Sequence, residues 1–147
     1  DILCCLIGEG PMKNELTKLI SDLGVQKYVR LLGQKPNWEV ALYLNACDVL
    51  VLPSLNEGLP VILCEALACG KPVVASKVAA IPELINEDVG YLSMPLNDID
   101  LADKISRALN KKWDVNKIIK RSKMVSAQDS AKKLVEAYRD LIKRNIK

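Results

Sequence analysis

At 147 residues, half of them apolar, the chain is long enough for one domain with its own core, and its composition disfavours intrinsic disorder. It has no His, and its five cysteines (Cys4, Cys5, Cys47, Cys64, Cys69) form no C-x-x-C pair, so a zinc site, a disulfide scaffold and imidazole chemistry are all disfavoured. The net charge of +3 hides an asymmetry: residues 1–100 carry 7 Lys/Arg against 13 Asp/Glu, and residues 101–147 carry 14 against 5.

Apolar runs alternate with helical patterns along the chain. Ile2–Ile7 reads as a strand, followed by the turn Gly8-Glu9-Gly10 and a helix with Pro11 at its first position. That helix carries Leu16, Leu19, Ile20 and Leu23 on one face and stops at Gly24, a left-handed cap. Tyr28–Leu32 is a short strand ending at Gly33, Trp38–Ala46 a helix, and Asp48–Leu52 a strand closed by Pro53. Pro60–Cys69 is an apolar helix capped by Gly70, and Val73–Ala75 is a buried strand. A helical turn at Pro82–Ile85, a strand at Val89–Ser93 and a helix at Asp98–Asn110 follow, with two more helical segments to the end.

Strands separated by helices at this spacing mean βαβ units, hence an α/β domain with a Rossmann-like parallel sheet flanked by helices. Such sheets bind ligands at the carboxyl ends of their strands. The candidate loops are 8–11, 33–37, 53–59 and 76–81. With Phe absent, the core must come from Leu, Ile, Val and Ala, as parallel strands prefer. The cysteines are expected as reduced, small core residues of a cytosolic protein.

The start at Asp1, straight into an apolar run, reads as the cut end of a longer protein. No apolar stretch nears the ~20 residues needed to span a bilayer, and the opening run is too short and wrongly flanked for a signal peptide. The basic C-terminal region would attract anionic lipid or nucleic acid. The preferred reading is solvated faces of amphipathic helices. Within 128–145, Ala131, Leu134, Val135, Tyr138, Leu141 and Ile142 hold one stripe that must pack on something.

The stretch from Pro53 to Ser76 carries the most chemistry. A strand ends at Pro53, a loop turns through Gly58, and a helix begins near Pro60. A helix N-terminus offers free N–H groups and about half a positive charge, which suits a phosphate. Glu57 precedes that terminus, and Glu65 interrupts an otherwise apolar helix. A buried carboxylate needs donors, from the protein or from a polyhydroxyl ligand. Each carboxylate can accept from both hydroxyls of a vicinal diol, so a sugar and a ribose bridged by diphosphate would match the spacing. On spacing alone a plainer reading stands beside it: Glu57 as a favourable acid before a helix start, Glu65 as an edge residue reaching solvent.

The segment P-S-L-N-E-G-L-P-V-I-L-C-E-A-L-A-C-G-K-P-V-V-A-S resembles the signature of the large retaining glycosyltransferase family with GT-B architecture (group 1, or family 4-like). The likeness extends to G-E-G-P at 8–11, V-R-L-L-G at 29–33, A-C-D-V-L-V-L-P at 46–53, I-P-E-L-I at 81–85 and V-G-Y-L at 89–92. It implies that residues 1–147 are the C-terminal, nucleotide-sugar-binding half of such an enzyme, with the N-terminal acceptor domain and the start of this domain missing. It further implies transfer of a sugar, retaining its anomeric configuration and without a metal or other cofactor, from UDP-sugar or another nucleotide sugar to a glycan or lipid-linked acceptor. Cell-surface polysaccharide synthesis is the implied setting, in the cytoplasm with peripheral contact at the inner membrane face and no nucleic acid.

Residue by residue, the resemblance gives Glu57 the donor sugar's hydroxyls, with a positioning role at the catalytic centre, and Glu65 the ribose diol. Gly58, Leu59, Pro60, Val61 and Ile62 would face sugar and diphosphate, and Gly33, Gln34 and Lys35 the nucleobase. Two departures matter. Ala79-Ala80 stands where family members usually carry Gly-Gly. The basic residues that usually neutralise the diphosphate precede this region and are missing, so the isolated chain is expected to bind UDP weakly and to transfer nothing.

Other patterns are set aside. Asp98-Ile99-Asp100 imitates a metal-chelating D-x-D but precedes a helix, where Asp98 or Asp100 makes an ordinary cap. Glu57 and Glu65 as a glycosidase pair lack any supporting feature. Two alternatives remain: a sugar-nucleotide epimerase, disfavoured by the absence of His, and a non-catalytic receiver-like signalling module. The latter needs an acid at a strand's carboxyl end, whereas Asp48 begins its strand.

Overall fold

The computed structural model describes residues 2–125 and 127–145. Five strands, β1 (Cys4–Ile7), β2 (Val29–Gly33), β3 (Leu50–Leu52), β4 (Val73–Ser76) and β5 (Gly90–Ser93), alternate with α1 (Lys13–Asp22), α2 (Asn37–Ala46), α3 (Val61–Ala68) and α4 (Ile81–Leu84). Three more helices follow: α5 (Asp98–Asn110), α6 (Val115–Ser122) and, after a 3₁₀ turn at Lys123–Val125, α7 (Ala127–Asn145). Every strand pairing is parallel. β1 pairs with β2, and β3, β4 and β5 form a sheet in that order. The expected α/β architecture, with parallel strands flanked by helices, is what the chain adopts.

The chain divides into two compact units, Asp1–Leu42 and Tyr43–Lys147. In the first, β1 is exposed along its length and α1 buries no residue, Leu19 and Leu23 included. Two strands and a helix offer too little surface to cover both sheet faces. The left-handed stop at Gly24 is there, with φ +66°. Pro11 lies ahead of the helix rather than inside it, because α1 starts at Lys13 with Met12 as its N-cap.

The second unit holds the core. β4 is its central strand, and Val73, Val74, Ala75 and Ser76 are all buried, which is why its sequence is an unbroken apolar run rather than an alternation. One side of α3 (Leu63, Ala66, Leu67) packs onto this sheet, joined by Ile81 and Leu84 of α4, Ala108 of α5 and Ile118 of α6. Gly70, just past the Cys69 C-cap of α3, has φ +71°, and a Cβ there would stand 2.7 Å from Val115 Cγ1 of α6. Tyr91 of β5 meets Trp113 edge to face at 5.6 Å, with the Lys111 ammonium 4.1 Å above the indole. The Trp113 indole N–H donates to the Ala108 carbonyl at 2.8 Å, pinning the segment after α5.

Several expectations are corrected here. The cysteines are not core residues: Cys4 and Cys5 are exposed, because β1 is uncovered, and Cys47, Cys64 and Cys69 are partly exposed. The α7 stripe is exposed at Leu134, Val135, Tyr138, Leu141 and Ile142, so these side chains pack on nothing among the described residues. Asn97, not Asp98 or Asp100, caps α5, accepting from the Asp100 N–H at 2.9 Å. Asp100 instead reaches back to accept the Met94 N–H at 2.7 Å and pairs with Lys104 at 3.1 Å.

The Met94 N–H first, and the Lys104 ammonium second, hold the Asp100 carboxyl below its ordinary value. A carboxylate with a depressed folded-state pKa contributes stability that is present above the unfolded value and is lost as pH falls through the folded one. Thermal midpoints recorded from about pH 5 downwards should therefore drop less steeply in Asp100→Asn than in the wild type, and parallel curves would refute the link.

Candidate functional site

Within the second unit, the carboxyl end of β3 leads through residues 53–60 into α3. Pro60 is the N-cap, buried and extended at φ −64°, ψ 126°, and no side chain caps the helix start. Proline supplies neither an N–H nor a capping oxygen: the Leu63 N–H donates to the Pro60 carbonyl at 3.1 Å, and the N–H groups of Val61 and Ile62 have no side-chain cap. That end of the helix carries its share of the macrodipole's positive charge.

Glu57 stands just ahead of this terminus, half-buried, and the Ser54 hydroxyl donates to its Oε1 at 3.0 Å. Ser54 was not singled out in the sequence. Its signal is the S-x-x-E spacing, met here in a loop instead of a capping box. One carboxylate oxygen of Glu57 is thereby fixed in place while the other keeps its lone pairs for a ligand.

Of the two sequence readings of Glu65, the structure takes the solvent-reaching one. It is exposed, so solvent satisfies it and no desolvation cost demands a partner. The reason is helical phase. α3 buries Leu63, Ala66 and Leu67, while Val61, Glu65 and Ala68 line its open face, with Val61 69% exposed. Glu65 lies one turn from the uncapped end, about 6 Å along the axis. Gly58 and Leu59 are exposed beside that end and Ile62 is half-buried. The unit therefore brings together Glu57, residues 58–62 and Glu65 around one helix terminus.

The turn after β4 borders the same pole of the sheet. The Ile81 N–H donates to the Val78 carbonyl at 3.1 Å, closing a β-turn with Ala79 at φ +44° and Ala80 at φ −83°. These φ signs belong to a type II′ turn, which prefers glycine at its first central position. An L-residue there costs roughly 1–2 kcal/mol, against about 0.5–1 kcal/mol of extra chain entropy for glycine. Ala79→Gly should therefore raise stability by about 0.5–1 kcal/mol, read as a higher urea midpoint at unchanged slope. A lower midpoint would contradict the strain.

Gly33, Gln34 and Lys35 belong to the first unit. Gly33 has φ +69°, a backbone conformation that favours glycine; a Cβ there would stand 2.8 Å from Glu9 Oε1, a carboxylate tip free to swing aside. With Gly8, Gly10, Met12 and Leu31 it lines a recess of about 260 Å³ at the carboxyl ends of β1 and β2. Gln34 is exposed, and the Lys35 ammonium is paired with Glu39 at 3.2 Å. Among the described residues, no group of three or more His, Cys, Asp or Glu could hold a metal ion. No described helix is long and apolar enough to cross a membrane.

Parallel βαβ units with helices packed on the sheet define an α/β domain. The particular family follows from comparison: residues 1–130 match the model of the glycosyl transferases group 1 family, and the chain belongs to that family. The amylovoran biosynthesis glycosyltransferase AmsK of Erwinia amylovora is 40% identical over 99 residues, covering 63% of this chain and 24% of that protein. The chain thus spans about a quarter of that relative's length. Among solved structures, sucrose-phosphate synthase from Thermosynechococcus elongatus superposes with a TM-score of 0.80 at 27% identity, over 95% of this chain and 38% of that one. Anabaena Alr3699/HepE, solved in complex with UDP-glucose, gives 0.65 at 27% identity, over 83% and 40%.

Proposed function

We propose that this chain is the C-terminal, donor-binding domain of a retaining glycosyltransferase. The full enzyme would move a sugar from a UDP-sugar, or another nucleotide sugar, to a glycan or lipid-linked acceptor held by an N-terminal domain outside this sequence. Cell-surface polysaccharide synthesis is the setting, in line with the relative that acts in amylovoran biosynthesis, and UDP-glucose bound to HepE supports the donor class. The reaction runs without a metal, in the cytoplasm with peripheral contact at the membrane. Isolated, the chain transfers nothing.

The observation that carries this reading is the uncapped N-terminus of α3 with Ser54-held Glu57 before it and Glu65 on the open face behind it. The N–H groups and dipole suit the diphosphate, Glu57 the sugar and Glu65 the ribose diol. The loop 33–35 is assigned to the base by family likeness alone. The test is calorimetric titration of the full-length enzyme with several nucleotide sugars and with UDP. Failure of every nucleotide sugar to bind would end the proposal.

A further inference from the structure

At the opposite pole of the β3–β4–β5 sheet, where the loop 86–89 leads into the start of β5, a groove of about 470 Å³ opens between that loop and α6. Its lining includes Asp88 and the cations Lys117, Lys120, Arg121 and Lys123, with Met124 at one edge. Charge accounting decides what the groove can take. Lys117 is matched by Asp88 at 2.9 Å. Arg121 is consumed by the chain itself: Nε donates to the Leu84 carbonyl at 2.8 Å and Nη2 to the Glu83 carbonyl. Lys111, outside the lining, likewise occupies the Glu87 carbonyl. The Asn86 side chain accepts the Asp88 N–H at 3.2 Å, and its carbonyl accepts the N–H groups of Val89 and Gly90.

The acceptors around the rim are thus already used, and the groove's single carboxylate is paired. Lys120 and Lys123 make no hydrogen bond or ion pair among the described residues, and Arg121 keeps its full charge. Two unmatched ammonium groups, three positions apart on a helical segment, flank an open groove walled by lysine stems and Met124. We propose that this groove binds a phosphate group, presented either by a lipid headgroup or by a soluble phosphate. Because it lies at the far pole of this sheet from the α3 terminus, occupation leaves the loop before α3 free. The proposal does not depend on the donor assignment.

The test uses amide chemical shifts and vesicle sedimentation on the whole chain. Inorganic phosphate should shift the amides of 86–89 and 117–124. Sedimentation is compared for phosphatidylcholine vesicles with and without phosphatidylglycerol. Lys120→Gln/Lys123→Gln should weaken the response by about twenty-fivefold, about fivefold for each lysine, and leave UDP binding unchanged. Lys18→Gln/Lys27→Gln removes the same charge from α1 and the stretch after it and should change little. Phosphate shifts together with binding to the anionic vesicles identify a headgroup as the source; phosphate shifts without it identify a soluble phosphate. Silence from both probes, vesicle binding without groove shifts, or equal loss in the control pair would each overturn the site.

Discussion

Gly90→Ala should destroy the folded state of the second unit. Gly90 opens β5 and stands opposite Val73 in the parallel ladder. A Cβ built there would overlap the Val73 carbonyl oxygen, and Val73 C and N lie at 2.9 and 3.1 Å. The obstruction is backbone of the buried central strand, so no side-chain rotation relieves it. β5 would have to separate from β4, breaking the Val73 N–H to Val89 carbonyl bond at 3.0 Å and opening a core in which Val73, Val74 and Val89 are fully buried. The expected cost exceeds about 4 kcal/mol, a large part of the roughly 5–15 kcal/mol that holds a domain together. Gly58→Ala is the matched control: nothing lies within 4 Å of its Cβ, and a change within about 0.5 kcal/mol is expected. Urea unfolding followed by circular dichroism decides it. A midpoint for Gly90→Ala within error of the wild type would show that the strand pairing is wrong.

The second large effect separates the two carboxylates. Glu65→Ala in the full-length enzyme should weaken free UDP by about thirtyfold, since a carboxylate on a ribose diol makes two charge-assisted bonds of roughly 1.5–3 kcal/mol each and solvent exposure discounts both. Because Glu65 is exposed, its removal leaves the fold intact, and a loss of affinity reports the ligand alone. Glu57→Ala should leave UDP within about twofold and cut turnover of the nucleotide sugar by roughly a hundredfold. Ser54→Ala should move turnover in the same direction by less, because it frees Glu57 without deleting it. Equal UDP affinity in wild type and Glu65→Ala would remove the ribose assignment. A Glu57→Ala enzyme that loses UDP and sugar alike would merge the two roles.

Much of this was legible in one dimension. Apolar runs of strand length separated by helical stripes placed the five described strands and their parallel pairing, because βαβ connections favour it; their division into a two-stranded and a three-stranded sheet was not legible. The terminus of α3 was readable from Pro60 and Gly58, and its end from Gly70, since these residues restrict or permit backbone angles wherever they stand. The strain at Ala79 was half visible, as alanine where the family usually carries glycine.

What the chain could not announce by itself was burial. An apolar residue in sequence carries no record of which neighbours arrive to cover it. Cys4 and Cys5 look like core and are exposed; Leu134 and Ile142 form a helical stripe that the described residues leave open. For Glu65 the sequence left burial and exposure both open; the phase of α3 decides, turning it outward while Leu63 and Leu67 turn in. Likewise Ser54 joins Glu57 only because the loop bends back on itself, and the 470 Å³ groove exists only because α6 packs beside the loop before β5. Local geometry is a property of consecutive residues and is written in their order. Exposure and charge pairing belong to residues distant in sequence, and only the packed tertiary structure decides them.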